Sequence, residues 1–329
     1  MVAEPVRRLC LLAASCVPLI VIVDDVQRAD TATVAVLRRA SSAAETAGVV
    51  LVLGVRDDEV GGDEPVRHFV AECVARGAHL LVMAPLASEE VAGLLADAGM
   101  EATQRLTASV VATTGGNAFF VTATLRHLLE SGPAAVSQVP PTARTVVRSR
   151  VDRLGHRARQ LLSAVSILEG PFPFDLAVTL AGLDEGDALD ALDAALSSHL
   201  LVSAPGGDHY RFTHALLAAA VAEEVNPSRR LRLHRHAAEA MAARLGGSVE
   251  AADGDQVAGH YHASRDLAGA DAGTVWALAA AARAERAGAP DRSAMFLGFA
   301  VDLMVGAPAG DIAAVSVRRA VQLARALDH

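Results

Sequence analysis

Apolar positions along this 329-residue chain follow two different rhythms. In the first quarter, three short runs stand out: LIVIV at 19–23, VVLVLGV at 49–55 and HLLVMA at 79–84. Such runs, without polar alternation, read as strands buried on both faces, as in the parallel sheet of an α/β domain. Helical spacing separates them, with Val6, Leu9 and Leu12 before the first run and Val34, Leu37 and Ala40 after it. Beyond residue 87 the helical period dominates. Ser88 is the expected N-cap of a helix whose inward face is Val91, Leu94 and Leu95, and Glu89 and Glu90 suit its first turn. A second helix is expected at 119–129, after the turn Gly115-Gly116-Asn117. The stretch 131–141 reads as a linker, and Val146, Val147, Arg150, Val151 and Leu154 form the next helical stripe.

Residues 158–213 then read as three helices (158–168, 174–181, 185–198) and a hairpin around Pro205-Gly206-Gly207-Asp208, the order of a winged helix. From 229 onward the pattern is Ala-rich and helical, at 231–245, 256–264, 274–287, 292–303 and 312–327. Repeated pairs of roughly 15-residue helices suggest an α-solenoid of tetratricopeptide type, without a clean 34-residue signature. Val317, Leu323 and Leu327 of the last helix are placed as if to meet a following repeat. The expected fold class is mainly α with an incomplete α/β part. Its divisions are a partial parallel-sheet core at 1–86, a small helical lid at 87–138, a winged-helix module at 139–228 and a tetratricopeptide-like part at 229–329.

Composition sharpens this picture in three ways. Hydrophobic residues are 52% but aromatics only 3%, so cores must be built from Ala, Leu and Val in closely packed helices. The net charge of -9 argues against a mainly nucleic-acid-binding surface. Within 158–213 eight carboxylates face two arginines, and the third helix there carries only acidic charges, which phosphates would repel. No direct DNA binding is therefore expected. Cys10, Cys16 and Cys73 suit buried thiols in a reducing cytoplasm. The apolar stretch before Asp24 is too short to span a membrane and lacks a small-residue cleavage site. A cytoplasmic protein without a membrane segment is the expectation.

Candidate chemistry begins at the end of the first strand. Asp24 and Asp25 follow LIVIV at the carboxyl end, where open α/β sheets place ligands. A hydrophobic strand ending in two acids is the Walker B arrangement: Asp24 would help hold Mg²⁺, a hard cation preferring oxygen ligands, and Asp25 would polarise a water. A plain strand followed by a polar loop is the structural alternative. The pairs His234/His236 and His260/His262 are poor chelators, because helical residues two apart point to different sides.

The wording VIVDDVQRAD (21–30) resembles the Walker B segment of large LuxR-type ATP-binding regulators, members of the STAND class of signal-transducing ATPases. Further matching segments follow in order: LVLGVRDDE (51–59), LVMAPLASEEVAGLLA (81–96), TTGGNAFFVTATLRHL (113–128), VPPTARTVVRSRVDRL (139–154) and YRFTHALLAAAVAEEV (210–225). The resemblance covers about residues 5–245. It departs at Arg28, where the family usually has Trp, and at Ala118, where it usually has Pro. The resemblance implies an ATP/ADP-controlled switch using Mg²⁺, with protein partners or other parts of the same regulator. It makes 49–55 the sensor strand, with Arg56 able to contact the terminal phosphate or the attacking water. A surface pairing of Arg56 with Asp57 or Asp58 is the alternative. It places Gly116 and Asn117 beside the nucleotide, and lets His214 touch the ADP β-phosphate in a closed state. An ordinary helix-start turn and a packing histidine are the alternatives. In this family the winged-helix module is an internal clamp.

A working phosphate loop needs a Gly-rich turn and a Lys, and all 29 basic residues here are Arg. The chain is therefore expected to be an internal or truncated piece of such a regulator, unable to hydrolyse ATP by itself. The alternatives are a nucleotide-independent interaction module, or an ATPase module of a different output protein such as a cyclase or kinase. In the implied sheet order the phosphate-loop strand lies between 49–55 and 79–84. Strands 19–23 and 49–55 should then pair in parallel, leaving 79–84 poorly paired.

Overall fold

A computed structural model describes residues 3–44, 48–55, 64–205, 207–251 and 253–327. Among them sixteen α-helices and five short strands make the protein mainly helical. No helix among the described residues is long and apolar enough to cross a membrane. The backbone divides into two compact units, Met1–Ala84 with Ser197–His199, and Pro85–Leu196 with Leu200–His329.

In the first unit α1 (Ala3–Cys16) leads into β1 (Leu19–Val23), α2 (Thr31–Ala44), β2 (Val49–Leu53) and α3 (Glu64–Ala75). The two strands pair in parallel, in register from Leu19↔Val49 to Val23↔Leu53. Val34, Leu37 and Ala40 of α2 turn inward as their spacing predicts. Val34 and Leu37, with Val26, Val66 and Phe69, cover one face of the strand pair. The opposite face, formed by Ile20, Ile22, Val50 and Val52, is open, with Ile22 at 72% exposure. In α1 the helix forms, but Leu9 and Leu12 point outward. Its half-buried side runs instead through Val6, Cys10, Leu11 and Ala14.

The predicted third strand at 79–84 is absent. These residues have no regular structure, and Leu80, Leu81, Val82 and Met83 are exposed. Strand propensity alone does not hold an extended segment; it needs a ladder partner, and β2 is an edge of a two-stranded sheet.

The second unit opens with α4 (Ser88–Asp97), α5 (Gln104–Thr114) and α6 (Ala118–Ser131). The cap of α4 is Ala87, with Ser88 already helical; the Glu90 carboxylate reaches back to accept the Ala87 N–H at 2.8 Å. Val91, Leu95, Val110, Val121, Leu125 and Leu128 form the local core. The expected linker is not loose: 133–137 is a 3₁₀ turn, and Ala135 and Val139 are buried.

Then follow α7 (Pro141–Arg153), α8 (Gly155–Val165), the two-residue β3 (Phe172–Pro173), α9 (Phe174–Ala181) and α10 (Glu185–Ser197). Strands β4 (Leu201–Ala204) and β5 (His209–Phe212) form the predicted hairpin, and β3 adds to β5, giving the antiparallel order β3-β5-β4. Helices α11 (Ala215–Glu224), α12 (Pro227–Arg244), α13 (Gly254–Ala263), α14 (Thr274–Arg286), α15 (Pro290–Leu303) and α16 (Ala309–Leu327) complete the chain. One apolar cluster runs without a break from Phe120 through Leu162, Leu201 and Trp276 to Leu303. Alanine dominates its later part, with Ala237, Ala238, Ala258, Ala277 and Ala280 all buried. Small side chains let helix axes approach closely, which answers the shortage of aromatics.

Candidate functional site

Two sites emerge, one in each unit. In the first, β1 delivers Asp24 and Asp25 to its carboxyl end. Asp25 has φ of 53°, a left-handed conformation that Asp tolerates better than most residues. That turn brings its N–H onto Asp24 Oδ1 at 2.9 Å and lets Asp25 Oδ1 accept from Gln27 Nε2 at 2.9 Å. Gln27 is itself buried, so the second carboxylate is held by an anchored side chain. Asp24 stays exposed.

Gly54, just past β2, makes this geometry possible. Its N–H donates to Val23 O at 2.8 Å and its carbonyl accepts from Val26 N at 3.0 Å, locking the two strand ends together. A Cβ at Gly54 would overlap Asp24 Oδ1. Sequence reasoning passed over Gly54, although a glycine ending an otherwise apolar strand signals close approach. An exposed carboxylate here suits a hard cation completed by phosphate oxygens and water. Among the described residues no group of three or more His, Cys, Asp and Glu is arranged to hold a metal. Arg56 lies outside the described residues.

The second site gathers Gly116, Asn117 and His214. Helix α5 stops at Gly115, whose φ of 60° is left-handed, and Gly116 follows at 72°. The Gly116 N–H donates to the buried Thr114 Oγ1 at 3.3 Å, and its carbonyl accepts from Leu86 N at 2.8 Å. Asn117 is spent on capping α6, its Oδ1 accepting from Phe119 N and Phe120 N. His214 is the N-cap residue of α11 but makes no side-chain capping bond. It turns back so that its ring fills the space a Cβ on Gly115 would need. Phe120 meets the ring edge-on, with centroids 6.0 Å apart.

His214 Nδ1 is buried without a hydrogen-bond partner. Burial, then the nearby Arg211 and Arg150 guanidinium groups, lower its pKa. A neutral imidazole with one unmet nitrogen at a doubly glycine turn can take a hydrogen bond from, or give one to, a small polar group. Residues 85–86, the glycine turn and His214 thus form one clasp between the α4–α6 bundle and α11.

Three other histidines are spent across helices. His234 Nδ1 and His260 Nδ1 lie 2.8 Å apart, joining α12 to α13. His262 bonds Asp302 at 2.9 Å and stacks on Phe299. Several arginines flanking the α7 stripe are neutralised: Arg148 lies 3.7 Å from Glu224, Arg157 2.9 Å from Asp187 and Arg159 3.0 Å from Asp152. They do not form an open basic face. A cavity of about 150 Å³ lies between Phe172, Leu176 and Met241; Arg244 on its wall is paired with Asp175. No protein-family model matches the chain, and no curated protein matches it significantly.

Proposed function

We propose that the chain is a nucleotide-responsive part of a signal-transducing regulator of the LuxR-type ATP-binding class. In this reading 1–86 belongs to a phosphate-loop-type nucleotide core, and 87–138 is its lid. Residues 139–228 form a winged-helix clamp, and 229–329 a tetratricopeptide-like output arm. The observation that carries the reading is the clasp, an unpartnered buried His214 nitrogen against Gly115-Gly116. It supports a lid and clamp held together where a phosphate would be sensed.

The residues fit ATP or ADP with Mg²⁺ only in part. Within the first unit Asp24 would hold the cation and Asp25 would orient a water; within the second, taken by itself, His214 would offer a neutral hydrogen-bonding nitrogen to a phosphate. A phosphate cradle is not among them, since this sequence has neither a Lys nor a Gly-rich strand-to-helix turn. When bound, the nucleotide would supply the charge that separates the switched states. Its bonding to His214 would compete with closure of the clasp.

Thermal melts and titration with fluorescent ADP test this. Binding in the millimolar range, weakened about tenfold in His214→Ala and without detectable hydrolysis, is the expected result. A ligand at 100 times its Kd stabilises by about 2.7 kcal/mol. A shift of that size at millimolar Mg-ATP, together with turnover abolished by Asp24→Ala, would mean a self-sufficient ATPase. No response to either nucleotide would favour a nucleotide-independent interaction module, a reading that the exposed Val317, Leu323 and Leu327 of α16 support.

A further inference from the structure

The cavity beside β3 is built from two sequence-distant parts of the second unit. The stretch after α8, with β3 and α9, gives Leu168, Phe172 and Leu176, and the end of α12 gives Met241 and Leu245. Leu168, Phe172, Leu176 and Met241 are buried, so the floor is apolar. Ligand sites share this form, a concave apolar surface with a few polar groups that orient the occupant. The volume of about 150 Å³ is roughly that of an engineered apolar cavity that admits benzene.

The charged groups on the wall are unequally committed. Arg244 is held by Asp175. The nearby Arg283 and Arg292 both turn onto Asp255 and are not part of the wall. Glu169 and Asp253 belong to the wall and are exposed, which puts them at its rim. Among the described residues neither carboxylate takes part in a hydrogen bond or ion pair. Asp253 even stands at the N-cap of α13 without making a side-chain capping bond. Gln256, one turn further along α13, adds an amide that can give or take a hydrogen bond. The wall thus carries two uncommitted carboxylates and no uncommitted guanidinium.

We infer that this cavity is a binding site for a small organic cation, a primary amine on an apolar body about the size of one ring. The body lies on Phe172, Leu176 and Met241, where removal from water gains most. The ammonium stays at the rim, facing the carboxylates of Glu169 and Asp253. An anion there would meet two like charges and would have to displace Asp175 from Arg244. The occupant touches both the β3–α9 segment and the α12–α13 pair, so it braces their joint. The inference uses none of Asp24, Asp25 and His214; it stands apart from the nucleotide reading and survives its failure.

Calorimetric titration of the full chain with benzylamine, benzyl alcohol and benzoate tests it. Benzylamine, charged at neutral pH, should bind with a Kd of about 0.1–1 mM. Benzyl alcohol should bind about three- to tenfold more weakly, and benzoate more weakly still. Glu169→Gln combined with Asp253→Asn should cost benzylamine about three- to tenfold and leave benzyl alcohol within about twofold. Leu245→Trp, which fills the cavity from its half-buried wall, should weaken both probes at least about tenfold. The two acids are exposed, so unchanged circular dichroism will show that the amide variant folds, and that arm decides the matter even if Leu245→Trp does not fold. No saturable benzylamine binding up to about 10 mM would overturn the site. Benzoate bound as tightly as benzylamine, or benzylamine bound undiminished by the amide variant, would overturn the choice of a cation. Binding unchanged in a folded Leu245→Trp variant would overturn the assignment to this cavity.

Discussion

The two units solve the same burial problem with opposite success. In the second, a single apolar cluster extends from Phe120 to Leu303, and every helix from α7 to α15 gives side chains to it. In the first, five buried side chains (Val26, Val34, Leu37, Val66, Phe69) cover one face of two strands. The other face and the segment Leu80–Met83 are left to solvent. Each helix of the second unit from α7 to α15 buries both its neighbours' surface and its own. Strands as apolar as β1 and β2 need cover on two sides, and here they have it on one. The lesson is that local pattern specifies an element, whereas stability depends on whether all of its apolar faces find partners.

The largest expected effect follows directly. Unfolding should occur in two separate transitions, with 1–84 melting first. Amides of β1 and β2 should exchange with an opening free energy at least about 3 kcal/mol below those of α8 and α14. Limited proteolysis should leave a resistant fragment beginning near Pro85. A soluble monomer with one cooperative melt, and strong protection throughout 79–84, would erase the distinction between the units.

A smaller effect probes the clasp inside the well-packed unit. Gly115→Ala places a Cβ on the His214 ring at a residue whose φ is 60°, so overlap and backbone strain act together. The expected loss is about 3 kcal/mol. It should be confined to the second transition, and His214→Ala should relieve part of it. Equal melting of Gly115→Ala and the wild type would mean that the turn and His214 do not hold one another.

Much of this was legible in the sequence, and the failures have physical causes. Periodicity placed α2, the α8–α10 helices and their hairpin, and α12–α16, because for each the burying partner lies in the same unit. It misplaced a strand at 79–84, where the run is apolar but no described neighbour completes a ladder. It took 131–141 for a linker from Gly132, Pro133 and Pro140, although Ala135 and Val139 anchor that stretch to two cores. At the sites, Asp24 and Asp25 were visible as paired acids after a strand. Gly54 was not, because its role is the absence of a side chain beside Asp24. The meeting of His214 with Gly115 joins residues 99 positions apart, and only the resemblance, not any spacing, linked them.

The smallest effect concerns pH, and it acts on one unit alone. His214, His234 and His260 all belong to the second unit and all have lowered pKa values. Burial is the first cause in each, and it takes His260 down to about 3. The unfolded chain binds these protons near pH 6.5 and the folded chain does not. Stability is therefore full above about pH 6.5 and falls as the pH drops toward the folded values. The largest slope one group can give is about 1.4 kcal/mol per pH unit. Between pH 6.5 and 5, His260 alone should then remove about 1.6 kcal/mol. The shifted acids of the first unit, Glu4 and Asp30, are lowered by hydrogen bonds from Arg7 and Thr33. Their contribution is lost only below the ordinary carboxylate range, so the first transition should stay put over this interval. Acidification from pH 7.5 to 5 should thus bring the two melts closer together from above. Replacing the bonded pair by His234→Leu and His260→Leu should flatten the dependence of the upper one. An upper transition unmoved by pH in the wild type would show that these histidines are not buried neutral.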